Sequence, residues 1–369
     1  MLWCAVCLMA GIVVGLNCPL LLYIPILVVC FVACFLTRKT KHWHDILTLF
    51  VWFLLGCSRA TVAFYGNETP AFWLSVEQKA KAVQTALATR LERSGVSPQT
   101  LSLGEALVIG KKDHLDYETK ESYRLVGASH LLALSGMHLG IIYGFLYFVF
   151  IRWTRFGRWR WHMLPPVMLL LWGYALVAGM PVSLVRAALM LSILTILSLM
   201  QYRTDPLHPL AMSAVIILLI APADLLSISF QLSFVAVFFI LTLWRPLYNT
   251  FPRMPWLVRL LTVSCIASFG TMPLVAFYFH RVALFGPFLS LILIPLTSVI
   301  IYLTMAAMLL PFSLLGWLLN QLVSFQDCIL GLAGSISCAS LTDIHLSKTL
   351  VCLMYGAMLA AVIRLQTRE

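Results

Sequence analysis

Hydrophobic residues arrive along this chain in long unbroken runs parted by short polar connections. Apolar spans are read near residues 3–16, 20–36, 46–65, 129–151, 163–179, 183–200, 207–221, 227–244, 257–279, 285–310, 313–335 and 346–363. Runs of roughly 17–25 apolar residues match the thickness of a bilayer core when helical. They are continuous and do not alternate in period two, which excludes the strands of a membrane barrel. The pattern predicts an all-α, polytopic helical membrane protein with about 11–12 transmembrane helices. The first span is short, and the eleventh carries Asn320, Gln321 and Asp327, so it also reads as interfacial.

One polar stretch interrupts the pattern. Residues 66–128 separate an N-terminal membrane group (1–65) from a nearly unbroken membrane block (129–369). Within it, Val76, Ala80, Val83, Leu87 and Leu91 recur near the helical period between Ser75 and Arg93. That spacing predicts a short outer amphipathic helix lying on the membrane surface. Leu103–Ile109 begins a short apolar helix, Tyr117–Val126 leads into the membrane, and the whole stretch is too small for an independent core.

Composition sharpens the class. Of 369 residues, 61% are hydrophobic and only 11% charged, where soluble domains carry about 25%. The net charge of +11 suggests nucleic acid until its location is considered. Arg38, Lys39 and Lys41, then Arg152, Arg155, Arg158 and Arg160, then Arg203, then Arg245, Arg253 and Arg259, and last Arg364 and Arg368 fall in alternate connections. Only Arg281 and Lys348 fall in the short loops of the other side. The positive-inside rule places both termini in the cytoplasm. Most cysteines lie in apolar spans and read as small hydrophobes. No metal is expected: His42-Trp43-His44-Asp45 has no nearby His or Cys to complete a site of three or four ligands.

Candidate chemistry concentrates in His130–Gly140, HLLALSGMHLG. On a regular helix His130, Ser135 and His138 share an arc of about 140° at 100° per residue, enough to line one wall of a pore or pocket. They serve equally to cap or cross-link helices. A Ser–His pair for acyl transfer needs an orienting acid, and none is near in sequence. The G-x-S-x-G elbow is also missing, so no catalytic residue is expected. Arg186 sits one to two turns inside a span, where it either meets a passing anion or snorkels to the interface. Asp224, Ser227 and Gln231 fall at i, i+3 and i+7, one stripe of one helix. His280 and Arg281 stand at an outer helix end. Gly136, Gly179, Pro181, Gly286, Pro287 and Pro295 punctuate the spans as structural breaks. Broken membrane helices free backbone groups that need protein or water around them, as at transporter binding sites. Loop ends use the same residues.

These residues also carry a resemblance. HLLALSGMHLG is similar to the hallmark of ComEC-type competence proteins, and ALVIGKKDHL (Ala106–Leu115), GMPVSLVRAALM (Gly179–Met190), SISFQLSFVAV (Ser227–Val237) and Met272–Pro295 match in the family's order. The resemblance implies a non-enzymatic, cofactor-free channel in the bacterial inner membrane that passes single-stranded DNA into the cytoplasm during natural transformation. Fuller members also carry an outer oligonucleotide-binding barrel and a metallo-β-lactamase-like nuclease domain. Here the outer stretch does not read as five strands, no H-x-H-x-D-H signature occurs, and Ser290 stands where the family commonly has Asn. The expected partners are therefore single-stranded DNA, membrane lipids, a separate nuclease, and cytoplasmic DNA-capture or motor proteins, since no P-loop pattern supplies ATP energy. The path candidates are His130, Ser135, His138, Arg186, Gln231, His280 and Arg281, with Phe277, Tyr278, Phe279 and Phe285 as stacking faces. Three other readings stay open. They are a secondary transporter of a small anionic solute, a membrane hydrolase on Ser135 and His138, and a truncated paralogue without transport.

Overall fold

The computed structural model describes residues 2–15, 48–57, 71–111, 114–132, 134, 136–152, 159–200, 205–251, 253–283, 285–334, 340–341 and 344–366. The chain divides into two compact units, one of residues 1–74 with 189–231, the other of 75–188 with 232–369.

The first unit contains α1 (Leu2–Gly15), α2 (Thr48–Cys57) and α10 (Leu207–Ile220), followed by a 3-10 turn, Pro222–Leu226. A Cβ at Gly11 would strike the Phe53 carbonyl, and one at Gly56 the Leu8 carbonyl. Glycine at both places lets α1 and α2 approach closely, which is how membrane helices gain packing without a hydrophobic driving force.

The second unit starts with the helices of the polar stretch: α3 (Ala71–Arg93), α4 (Pro98–Gly104) running into a π-turn (Glu105–Ile109), and α5 (Tyr117–Leu125). Then come α6 (Ser129–Leu132), α7 (Gly136–Leu146) with a π segment (Tyr147–Arg152), and α8 (Trp159–Val177). The helix α9 (Val182–Leu199) begins here, and α11 (Ile228–Thr250), α12 (Trp256–Phe279), α13 (Gly286–Leu309), α14 (Ser313–Gly334) and α15 (Lys348–Gln366) complete the order. A two-residue ribbon pairs β1 (Val282–Ala283) antiparallel with β2 (Ser340–Leu341). Ser97 caps α4, its hydroxyl accepting from Thr100 N–H at 3.2 Å, and Pro98 fills the first helical position, where no amide hydrogen is needed.

This is an all-α membrane protein. Among the described residues α11, α12 and α13 are long and apolar enough to cross a bilayer, and several shorter helices are apolar. The helix α14 is not one of these three. Its polar residues face the helices of the polar stretch: Asn320 accepts from Ser97 N–H at 2.9 Å and Asp327 from Gln99 at 2.9 Å.

The helices α3 to α5 share their core with later helices. Leu91, Leu103, Leu107 and Tyr123 pack in one apolar cluster with Leu293, Ile300 and Ile301 of α13 and Leu319 and Val323 of α14. The expected amphipathic helix is present as α3, and part of its stripe, Ala80 and Leu91, is buried against protein while Val83 is exposed. Ala80, Gln84 and Leu91 are buried while Lys79, Lys81 and Arg90 are exposed. Close-packed protein offers α3 both dense apolar contact and backbone acceptors for Gln84, which lipid tails cannot supply.

Three further expectations are corrected. The span 129–151 is not one helix: α6 ends at Leu132 and α7 opens at Gly136, so the single-helix arc for His130, Ser135 and His138 does not hold. Asp224 lies in the 3-10 turn and Ser227 caps α11, so Asp224, Ser227 and Gln231 do not form one helical stripe. Pro295 does not break its helix; α13 runs through it, as proline allows in membrane helices when neighbours tolerate the lost hydrogen bond.

Candidate functional site

Three loops meet where α9 begins. Gly110 ends the π-turn in the left-handed region, φ 79°. A Cβ there would lie 2.6 Å from Leu134 Cδ1 and 3.1 Å from the Ala178 carbonyl oxygen, so only glycine fits without displacement. A π-turn leaves carbonyls out of register with the helix ladder. Two of them are met by side chains from other helices. Tyr174 Oη donates to Val108 O at 3.0 Å, and Gln84 Nε2 to Ile109 O at 3.2 Å. The same Gln84 amide also donates to Val177 O at 2.6 Å, tying α3 to the end of α8.

The second loop joins α6 to α7. Ser183 Oγ, in the first turn of α9, donates to Leu134 O at 2.7 Å. Gly136 opens α7 so close to α9 that an added Cβ would stand 3.2 Å from Ala187 Cβ. His138, two residues on, is 0% exposed. Tyr302 Oη donates to Ile141 O at 2.7 Å and fixes α7 against α13.

The third loop turns α8 into α9 through Gly179 (φ 83°) and Met180 (φ 51°), and Pro181 leads the new helix. One turn beyond Ser183 stands Arg186, only 1% exposed. Its guanidinium lies 5.8 Å from the centroid of the Phe234 ring on α11. Protein encloses the side chain, so it does not snorkel. A guanidinium stays charged at any ordinary pH. At the centre of a membrane helix an arginine costs about 2.5–3.5 kcal/mol on insertion scales. The arrangement is a fixed positive charge held in a wall of loop ends, which can attract an anion but has no proton to give.

The other expected residues lie elsewhere. His130 belongs to α6, while its side chain and the whole of Ser135 lie outside the described residues. Gln231, in the first unit, donates from Nε2 to Leu225 O at 3.2 Å, a bond back to the turn before its own helix. Arg281 is 3.3 Å from Glu121 Oε1, and Arg124 shares that carboxylate at 3.6 Å. Gly286 and Pro287 form the first turn of α13. The aromatic rings of Phe277 and Tyr278 meet edge to face with centroids 5.1 Å apart, and Phe279 and Phe285 are exposed.

Sequence reasoning missed Gln84, Ser183, Phe234 and Glu121. Ser183 had a signal, being three residues from Arg186 on the same helical face. Gln84 had one too, a polar residue inside the apolar stripe of α3. Phe234 and Glu121 had none, because their partners are distant in sequence. Nearby, Asp327 is half-buried, and burial together with the Asp116 carboxylate pushes its pKa up to about 6. Burial likewise pushes the Tyr123 phenol up, and its buried hydroxyl has no hydrogen-bond partner among the described residues.

Comparison with known proteins places these segments in context. A family model described as "Competence protein" matches residues 107–368. The chain is 30% identical over 198 residues to ComE operon protein 3 of Bacillus subtilis (strain 168), covering 54% of this chain and 25% of that protein. It is 27% identical over 297 residues to the uncharacterized protein MG316 homolog of Mycoplasma pneumoniae, covering 79% of this chain and 71% of the relative. The match thus spans about a quarter of ComE operon protein 3. No solved structure matches.

Proposed function

The chain belongs to the competence protein family, and from that premise we propose that its helices form a conduit passing single-stranded DNA across the bacterial inner membrane in natural transformation. What supports this reading is one observation: segments far apart in sequence pack against the first turns of the helix that carries a buried cation. Ser183 holds Leu134 O, Gly136 abuts Ala187, Gly110 abuts Leu134 and Ala178, and the Phe234 ring lies beside Arg186 itself.

A polynucleotide brings one negative charge per nucleotide, so a path for it needs cationic groups that meet phosphate without reading bases. Arg186 suits that task because its charge is permanent and its fork matches phosphate oxygens. The Phe234 ring, 5.8 Å from the guanidinium carbon, adds a cation–π attraction. Conduction also requires that binding be weak enough to release the strand. Among the described residues Arg186 is the one buried arginine, and a solitary cation meets this condition better than a row of them. His280 and Arg281 stand at the proposed outer mouth, with both termini on the cytoplasmic side. Driving force then comes from cytoplasmic capture or motor proteins, and strand preparation from a separate nuclease.

The test is entry of labelled DNA into transformable cells whose own gene is deleted and which carry the full-length chain or its variants. Arg186→Ala, present in the membrane at the unsubstituted level, is expected to lower DNA entry about tenfold or more, as loss of a buried charge contact does. Arg186→Lys should fall between, keeping charge without the fork. Unchanged entry in the deletion strain, or in Arg186→Ala, overturns the reading. Loss of small-anion uptake with normal DNA entry would favour a solute transporter.

A further inference from the structure

Two histidines from distant parts of the chain stand side by side, His280 just before β1 and His345 four residues after β2. The rings of His280 and His345 have centroids 4.7 Å apart and planes tilted by 48°. His280 closes α12 in the left-handed region, φ 54°. Glycine or asparagine usually fills that position, because a Cβ is disfavoured there. A histidine held in such a conformation calls for a reason.

The surroundings hold it from both sides. Ile344 N–H donates to His280 O at 3.2 Å, and His280 Nδ1 lies 3.2 Å from Ile344 O. A carbonyl oxygen only accepts, so Nδ1 carries the hydrogen and the neutral ring leaves its lone pair on Nε2. Metal-binding histidines are oriented in this way, one ring nitrogen tied to a carbonyl and the other free to ligate. His345 follows Ile344 directly, so these two contacts bring the second imidazole alongside. Both histidines are exposed, and the neighbouring Arg281 is turned to Glu121.

We infer that His280 and His345 form a binding site for a divalent transition-metal ion of the borderline class, with zinc as its natural probe. Zn–N bonds of about 2.0–2.1 Å in a tetrahedron put two ligating imidazoles with ring centroids roughly 5 Å apart, close to the 4.7 Å observed. Two imidazoles fill two of four positions. Among the described residues no group of three or more His, Cys, Asp or Glu is assembled, and the inferred site takes water or an oxygen donor at its other positions. An ion there joins the α12–α13 loop to the connection between α14 and α15. The inference does not depend on the proposed conduit.

The experiment uses the full-length chain in detergent, stripped with a chelator and titrated calorimetrically with Zn²⁺. Wild type is expected to bind one equivalent, and His280→Asn and His345→Asn each to bind about tenfold more weakly or worse. Asparagine tolerates the left-handed backbone, so the first variant keeps the ribbon. In the unsubstituted chain, Zn²⁺ should protect His280 and His345 from acylation by diethylpyrocarbonate, read by peptide mass spectrometry. His208, exposed on α10, should be modified equally with and without the ion. Undiminished binding in either variant, or protection at other histidines instead of these two, overturns the site.

Discussion

Asp327 lies on α14, outside the three helices that are long and apolar enough to cross a membrane. Burial and the Asp116 carboxylate raise its pKa from 3.8 to about 6. The folded chain therefore holds a proton at Asp327 between about pH 4 and 6 that the unfolded chain has released. By linkage, stability falls as pH rises through that window, and the cost is complete above it. Asp327→Asn still accepts the Gln99 hydrogen bond and carries no charge. It should flatten the slope and leave the chain more stable at neutral pH, followed by thermal unfolding in detergent from pH 4.5 to 7.5. An unchanged slope would refute the assignment. Nothing in the sequence marked Asp327 as special beyond its polarity inside an apolar span. Its partner Asp116 is distant in sequence, and burial is a property of the assembled structure.

Among the elements, α3 divides most clearly into what periodicity tells and what it does not. Its apolar spacing makes it a helix, and Ala71–Arg93 is helical. Which surface receives the stripe was decided by Gln84, whose amide meets the carbonyls of Ile109 and Val177. Gln84→Leu keeps the volume and strips both acceptors of their donor. Each buried unmatched carbonyl costs about 1–3 kcal/mol, so the loss should be about 2 kcal/mol or more. Hydrogen exchange should quicken across Glu105–Ile109 and the end of α8 and stay unchanged in α15. Unaltered exchange in the π-turn would show that Gln84 holds nothing there. The break between α6 and α7 illustrates the opposite limit. An apolar run with glycine inside it reads as a continuous helix, yet Ser183 donates to Leu134 O and stabilises an interruption that lipid would penalise.

At the scale of the whole molecule, the cationic connections predict an orientation. Arg253 and Arg259 lie between α11 and the first turn of α12, with Arg259 Nε donating to Met254 O at 2.9 Å. The ribbon with His280 and His345 follows at the other end of α12. Alkaline phosphatase fused within the α12–α13 loop should be active outside. The same enzyme fused after Glu369 should be inactive, while a fluorescent protein placed there should shine. The reverse pattern would invert the proposed orientation. The five segments that carried the resemblance were all readable in one dimension, and the family match across residues 107–368 agrees with them.

The sequence by itself determined the class of protein, the family and most helix positions, because hydropathy and local motifs depend on residues near one another in the chain. Tertiary structure alone decided that Arg186 is enclosed beside Phe234, that α3 turns inward, that Arg281 is matched to Glu121, and that His280 meets His345. Each of these rests on contacts between residues tens to hundreds of positions apart. Such contacts depend on how packed surfaces and backbone acceptors meet in space, and no local pattern encodes that.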